Sequence, residues 1–246
     1  MNKFSALSFF ATAVLALGTA QATPLPPGSC IGAFRAPPPC TGFLSSSFPN
    51  GGLLLLADQT QAVVALSGGY TGTVISAVYR EPSGSLDFLY QFLNNFSSTD
   101  AVQAIVISSF AGYQTDVSLA SAVVCSPGHG CSSFAPFGNG NSSPLSATRS
   151  LPGDTIEFQG FGGLLANPAP NIRPGDISAI LMISTDATAY AAGAVTFIDG
   201  GSTVISSFGP SAGAPEPGVL SLTMFGIFAG VLARRRALTK RSQFQS

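Results

Sequence analysis

The chain has 246 residues, 46% hydrophobic and only 9% charged, with a formal net charge of −1. That length suits one large domain or two small ones. Residues 23–217 carry all 11 acidic residues and only Arg35, Arg80, Arg149 and Arg173 as cations, a formal charge of 4 − 11 = −7. So acidic a body, with no basic patch, excludes nucleic acid as an expected partner and argues against adhesion to anionic lipid.

The N-terminus reads as a processing segment. Lys3 supplies a positive start, an apolar stretch covers 4–17, and Ala20-Gln21-Ala22 has the small-x-small form that signal peptidase accepts. Residues 1–22 are therefore expected to be a signal peptide, cleaved after Ala22 by signal peptidase. Residues 23–52 are rich in Pro, Gly and Ser and read as an irregular entry segment. Four cysteines form two close sequence pairs, Cys30 with Cys40 and Cys125 with Cys131. In an exported chain they are expected to form two local disulfides, and Pro127-Gly128 supplies a turn between the second pair. A metal site joining His129 to the thiolates is the alternative. The spacing matches no common zinc pattern, so no metal is expected.

From residue 53 the signal is β. Short apolar runs at 53–57, 62–66 and 71–81 are followed by a turn at 81–85 and a run at 85–96. In the last run Leu86, Phe88, Tyr90 and Phe92 share one face, and Asp87, Leu89, Gln91 and Leu93 the other. The runs 71–81 and 85–96 are expected to form a hairpin with a loop longer than two residues. Further strands are predicted at 103–110, 112–119, 121–125, 154–161, 177–184, 194–199 and 202–208. Pro152-Gly153-Asp154 and Pro174-Gly175-Asp176 repeat the same turn chemistry ahead of two of them. Without an Asp-x-Asp-x-Asp-Gly loop, these aspartates give no calcium signal. No amphipathic helix of convincing length lies in the body. The expected fold is all-β, an antiparallel β-sandwich of jelly-roll or Ig-like type over 53–208.

Catalytic chemistry has little to stand on. His129 is the single histidine, and a small cysteine loop is a poor mount for a general base. Neither a Gly-x-Ser-x-Gly elbow nor a phosphate-cradling glycine loop is present. Asp154 and Glu157 are close in sequence but would point to opposite faces of a strand. Asp87, Asp116, Asp186 and Asp199 are isolated and read as solvated turn or edge residues. No catalytic residue, cofactor or enzymatic activity is expected. The sequons at Asn95 and Asn141 are weak glycan signals.

The C-terminus explains the segregated charge. A linker over 209–217 precedes 16 uncharged residues, 218–233, which as a helix span roughly 24 Å. That falls a little short of a bilayer core of about 30 Å, and arginine snorkelling can close the gap. Arg234, Arg235 and Arg236 open a basic tail over 234–246, so the positive-inside rule keeps this end in the cytoplasm. The lipid bilayer is thus an expected partner. Pro215-Glu216-Pro217, an apolar helix and a terminal arginine cluster, in that order behind a signal peptide, resemble the PEP-CTERM sorting signal of bacterial exported proteins. The resemblance implies recognition by exosortase, a membrane protease that removes the tail near Pro-Glu-Pro. Location would be the inner membrane with the body in the periplasm, then the cell surface or exopolysaccharide matrix. Stretches over 72–80, 85–91, 112–117, 185–188 and 198–201 are similar to uncharacterised bodies found on this tail, which implies an exported β protein and no activity. The expected role is structural or adhesive. The alternative is a carbohydrate-binding module for extracellular polysaccharide, with Tyr70, Tyr79, Tyr90, Tyr113 and Tyr190 as stacking candidates; a secreted hydrolase is disfavoured.

Overall fold

A computed structural model describes residues 22–32, 40, 53–66, 69–120, 123–126, 130–133, 136–162 and 171–212. Among them the chain forms only strands: β1 (Thr23–Pro24), β2 (Cys30–Gly32), β3 (Leu54–Val64), β4 (Thr71–Arg80), β5 (Leu86–Asn94), β6 (Ala104–Ile107), β7 (Thr115–Ala120), β8 (Val123–Ser126), β9 (Gly130–Ser133), β10 (Ser146–Arg149), β11 (Ile156–Gln159), β12 (Ile180–Thr185), β13 (Ala189–Ile198) and β14 (Ser202–Ser211). Two six-stranded sheets run β1-β7-β12-β5-β4-β3 and β14-β13-β6-β11-β10-β2, and β8 with β9 makes a separate ribbon. All ladder pairings are antiparallel. The described residues are all-β, as the pattern of the body implies. No helix among the described residues is long and apolar enough to cross a membrane. Residues 1–21 and 213–246, where a signal peptide and a sorting tail are expected, lie outside the described residues.

The β4–β5 hairpin shows how sequence becomes packing. Residues 71–80 and 86–94 pair from Gly72–Asn94 to Arg80–Leu86. Between them Glu81 N donates to Ser85 O at 2.9 Å, and Gly84 sits at φ +94, where a side chain would be strained. Leu86, Phe88, Tyr90 and Phe92 enter the core between the sheets. Phe92 lies against Phe197 at 4.5 Å between ring centroids and meets the Tyr70 ring edge-on at 6.4 Å. Aromatic pairs of this kind add to the gain from buried area.

The opposite face of β5 is covered too. Leu89 joins Ala77, Tyr79, Ile180 and Met182 under Phe137 and Leu53. Gln91 fastens that cover, its Nε2 donating to Gly138 O at 2.8 Å and its Oε1 accepting from Gly138 N at 2.9 Å. Buried on both faces, β5 alternates apolar residues with Asp87, Gln91 and Asn94, which are buried as well.

Several element boundaries differ from the sequence-based ones. The runs 53–57 and 62–66 are one strand, β3, with a register shift between Leu55 and Ala57. Its polar centre, Asp58-Gln59-Thr60-Gln61, masks the continuity. Such residues are tolerated because β3 lies at a sheet edge. The entry segment is not wholly irregular: β1 pairs with β7 and β2 with β10. β10 and β9 went unrecognised because Ser-Ala-Thr-Arg and Gly-Cys-Ser-Ser have no apolar alternation. β13 starts at Ala189 rather than 194, across small residues with weak strand propensity. β14 runs to Ser211, past the expected limit of 208, with Pro210 on an edge strand where a proline is allowed.

Candidate functional site

Antiparallel register sets one row of residues, polar at its centre, across one sheet. Pro24, Asp116, Ser184, Asp87, Tyr79 and Leu55 stand side by side on β1, β7, β12, β5, β4 and β3. The row lies on the face opposite the Leu86–Phe88 core side. Asp87 is only 1% exposed, and neither of its carboxyl oxygens has a hydrogen-bond partner. Burial pushes its pKa up to about 7; the Ser184 hydroxyl pulls the other way and the Glu81 carboxylate adds to the rise. Asp116 is raised as well, first by burial and then by Glu81. Glu81 accepts from the hydroxyls of Ser83 and Ser85 at 3.2 and 3.0 Å, which holds its charge at the hairpin turn.

Sequence reading placed Asp87 and Asp116 among solvated edge residues. That is wrong for Asp87, because β5 is a covered central strand. A carboxyl near pH 7 can trade a proton at neutral pH. Enclosed as it is, Asp87 has no substrate-accessible surface, so its titration acts on folding. Asp199 is also raised, by burial and then by Asp100, and its Oδ2 has no partner. Asp186 accepts from Gln114 N at 2.9 Å. Asp154 is not on a strand with Glu157; it precedes β11, and its carbonyl accepts from Phe110 N at 2.9 Å. Among the described residues no three His, Cys, Asp or Glu side chains are grouped closely enough to hold a metal ion.

Arg149 is the most heavily engaged charge, at 2% exposure. Its guanidinium donates to Gly153 O at 3.0 and 2.9 Å, Leu25 O at 3.2 Å, and Phe110 O and Tyr113 O at 2.9 Å. The planar fork ties the segment after β1 to two turns that are distant in sequence. Burial lowers its pKa and Asp186 opposes that. No spacing rule marks this residue; its scarcity as one of four cations in the body was the available signal.

The other candidates divide between placed and undescribed. Cys30 and Cys40 are bonded as a disulfide with Cα atoms 4.7 Å apart. Cys125 and Cys131 are direct Cα partners across the β8–β9 ribbon, which agrees with a local pairing; their side chains lie outside the described residues. Ala22 directly precedes β1, whereas Ala20, His129, Pro215, Glu216, Pro217, Arg234, Arg235 and Arg236 lie outside the description. Both repeated Pro-Gly-Asp stretches are turns, with Gly153 N bonded to Ser150 O and Asp176 N to Arg173 O, each at 2.9 Å. The sequon amides are already engaged: Asn95 Nδ2 donates to Thr71 Oγ1 and Asn141 Nδ2 to Asp176 Oδ1, each at 3.1 Å.

The tyrosine platform does not form as expected. Tyr70, Tyr79 and Tyr90 are buried. Tyr70 and Tyr90 spend their hydroxyls on the carbonyls of Phe197 and Phe208, at 3.3 and 2.6 Å. Tyr190 is exposed at 36% and meets Phe208 edge-on, and Tyr113 is half-buried. No protein-family model matches this chain, and no curated protein does.

Proposed function

We propose that this is an exported protein whose β-sandwich body is carried through the inner membrane by residues 1–22, held there by 218–233, and released by an exosortase-type protease near Pro215-Glu216-Pro217. Its destination is the cell surface or exopolysaccharide matrix, and its role there is structural or adhesive. The observation that carries this reading is the order of Pro-Glu-Pro, apolar helix and Arg234-Arg235-Arg236 behind an Ala20-x-Ala22 signal. The fold is compatible with both cuts. β1 opens at Thr23, directly after the first, and β14 ends at Ser211, ahead of the second. The Cys30–Cys40 disulfide suits an oxidising compartment.

Within the sandwich, the jelly-roll reading is favoured over the Ig-like one. β5 and β6 pair with β12 and β11 in opposite sheets, the arrangement of a long hairpin rolled around a core. Carbohydrate binding is a second reading that now rests on Tyr190 and Tyr113 alone. The test of the main reading is the intact mass of the mature chain from its native host. Termini at Thr23 and close to Pro217 are expected. A chain still ending at Ser246 would make the tail a permanent anchor and refute the sorting reading.

A further inference from the structure

The two sides of the sandwich end very differently. On one side the outer strands are β1 and β2, of 2 and 3 residues. On the other they are β3 and β14, of 11 and 10 residues. These long strands meet where Gln59 Nε2 donates to Ser206 O at 3.2 Å. A long edge leaves a row of main-chain N–H and C=O groups without a ladder partner, and natural sheets usually blunt such edges by brevity, charge or proline. β14 has Pro210, but β3 has Asp58 as its single charge and no proline. β3 also exposes Leu54 (60%), Leu55 (40%) and Val64 (62%), with Leu66 (90%) just beyond it.

We propose that β3 pairs antiparallel, edge to edge, with β3 of a second copy of this chain. The pairing would join two six-stranded sheets into one of 6 + 6 = 12 strands. The strand's own pattern selects the occupant. With −7 over residues 23–217, copies repel in general, and this sparsely charged edge is where two meet at least cost. The strand is also self-complementary, with apolar ends around a polar centre. A two-fold centred on Gln59 sets Asp58 against Thr60 of the second copy, so no carboxylates face each other. The same two-fold brings the Leu54-Leu55 end of one strand beside the Val63-Val64 end of the other.

The register gives a charge test of opposite signs. Thr60 is exposed, so both of its variants should fold like the parent, which circular dichroism checks. The full chain in mild detergent, followed by sedimentation velocity over a concentration series, should show a dimer. Thr60→Asp sets two pairs of carboxylates against each other across the two-fold and should weaken dimerisation about tenfold. Thr60→Lys sets an ammonium against Asp58 and should preserve or tighten it. A parent that stays monomeric throughout would overturn the proposal, even if it captures a strand from some other protein. So would a dimer that both variants shift alike or leave untouched, which would place association in the tail.

Discussion

Replacing Asp87 by Asn tests whether this buried carboxyl governs the pH dependence of folding. The folded chain holds the Asp87 proton up to about pH 7, against 3.8 for the free side chain. Between those values the native state binds more protons than the unfolded state, so stability falls as pH rises from about 4 and the loss is complete above about 7. At about 1.4 kcal/mol per pH unit, that gap corresponds to a loss on the order of 4 kcal/mol. Burial is the main cause of the rise, and the nearby Glu81 carboxylate adds to it. Urea unfolding followed by circular dichroism at pH 4.5 and pH 8.5 measures the loss. The parent should lose stability between the two. Asp87→Asn, with an amide of the same shape that never ionises, should be the more stable chain at pH 8.5 and show a much flatter profile. Asp116, Glu157 and Asp199 are raised as well, so a residual slope in the same direction will remain. Equal stability of the parent at both pH values, or an unchanged slope in the variant, would refute the reasoning.

Other expectations follow from the same contacts. Arg149→Met removes the donors to four carbonyl oxygens and should cost roughly 4 kcal/mol, lowering Tm by about 10 °C; Arg149→Lys should recover part of it. A thermal melt of both variants checks this, and a shift under about 2 °C for the Met variant would show that water replaces the guanidinium. Cys30→Ser with Cys40→Ser opens a loop with a sequence separation of 10 and should cost about 3 kcal/mol, read from the urea midpoint under non-reducing conditions. Gly72→Ala would drive a Cβ into the Leu93 carbonyl oxygen and the Phe92 ring, and should destabilise by about 2 kcal/mol or more in the same assay.

The fold class was legible because strand chemistry is local. Alternation in Thr-Val-Ile-Ser-Ala-Val-Tyr and in Leu86 to Phe92 marks two strands, and the Pro-Ser-Gly-Ser stretch between them marks their turn. Strands with weak local signal were not legible. β10 is held by β2 and β11 on either side, so its pairing comes from neighbours far along the chain. β3 was split in two because a polar centre reads as a break until its edge position is known. The tyrosines were misjudged for a related reason. Composition says how many there are, but alternation leaves open which face another sheet will cover, and Tyr70 and Tyr90 proved to be core residues.

Composition, turn chemistry and apolar spacing thus determine by themselves that this chain is β-rich and segregated in charge. These are properties of residues and their near neighbours. Only the tertiary structure decides that Asp87 is enclosed, that Arg149 ties three segments together, and that β3 is a long edge strand among the described residues. Each depends on which strands become adjacent, and that is fixed by the burial of two faces at once.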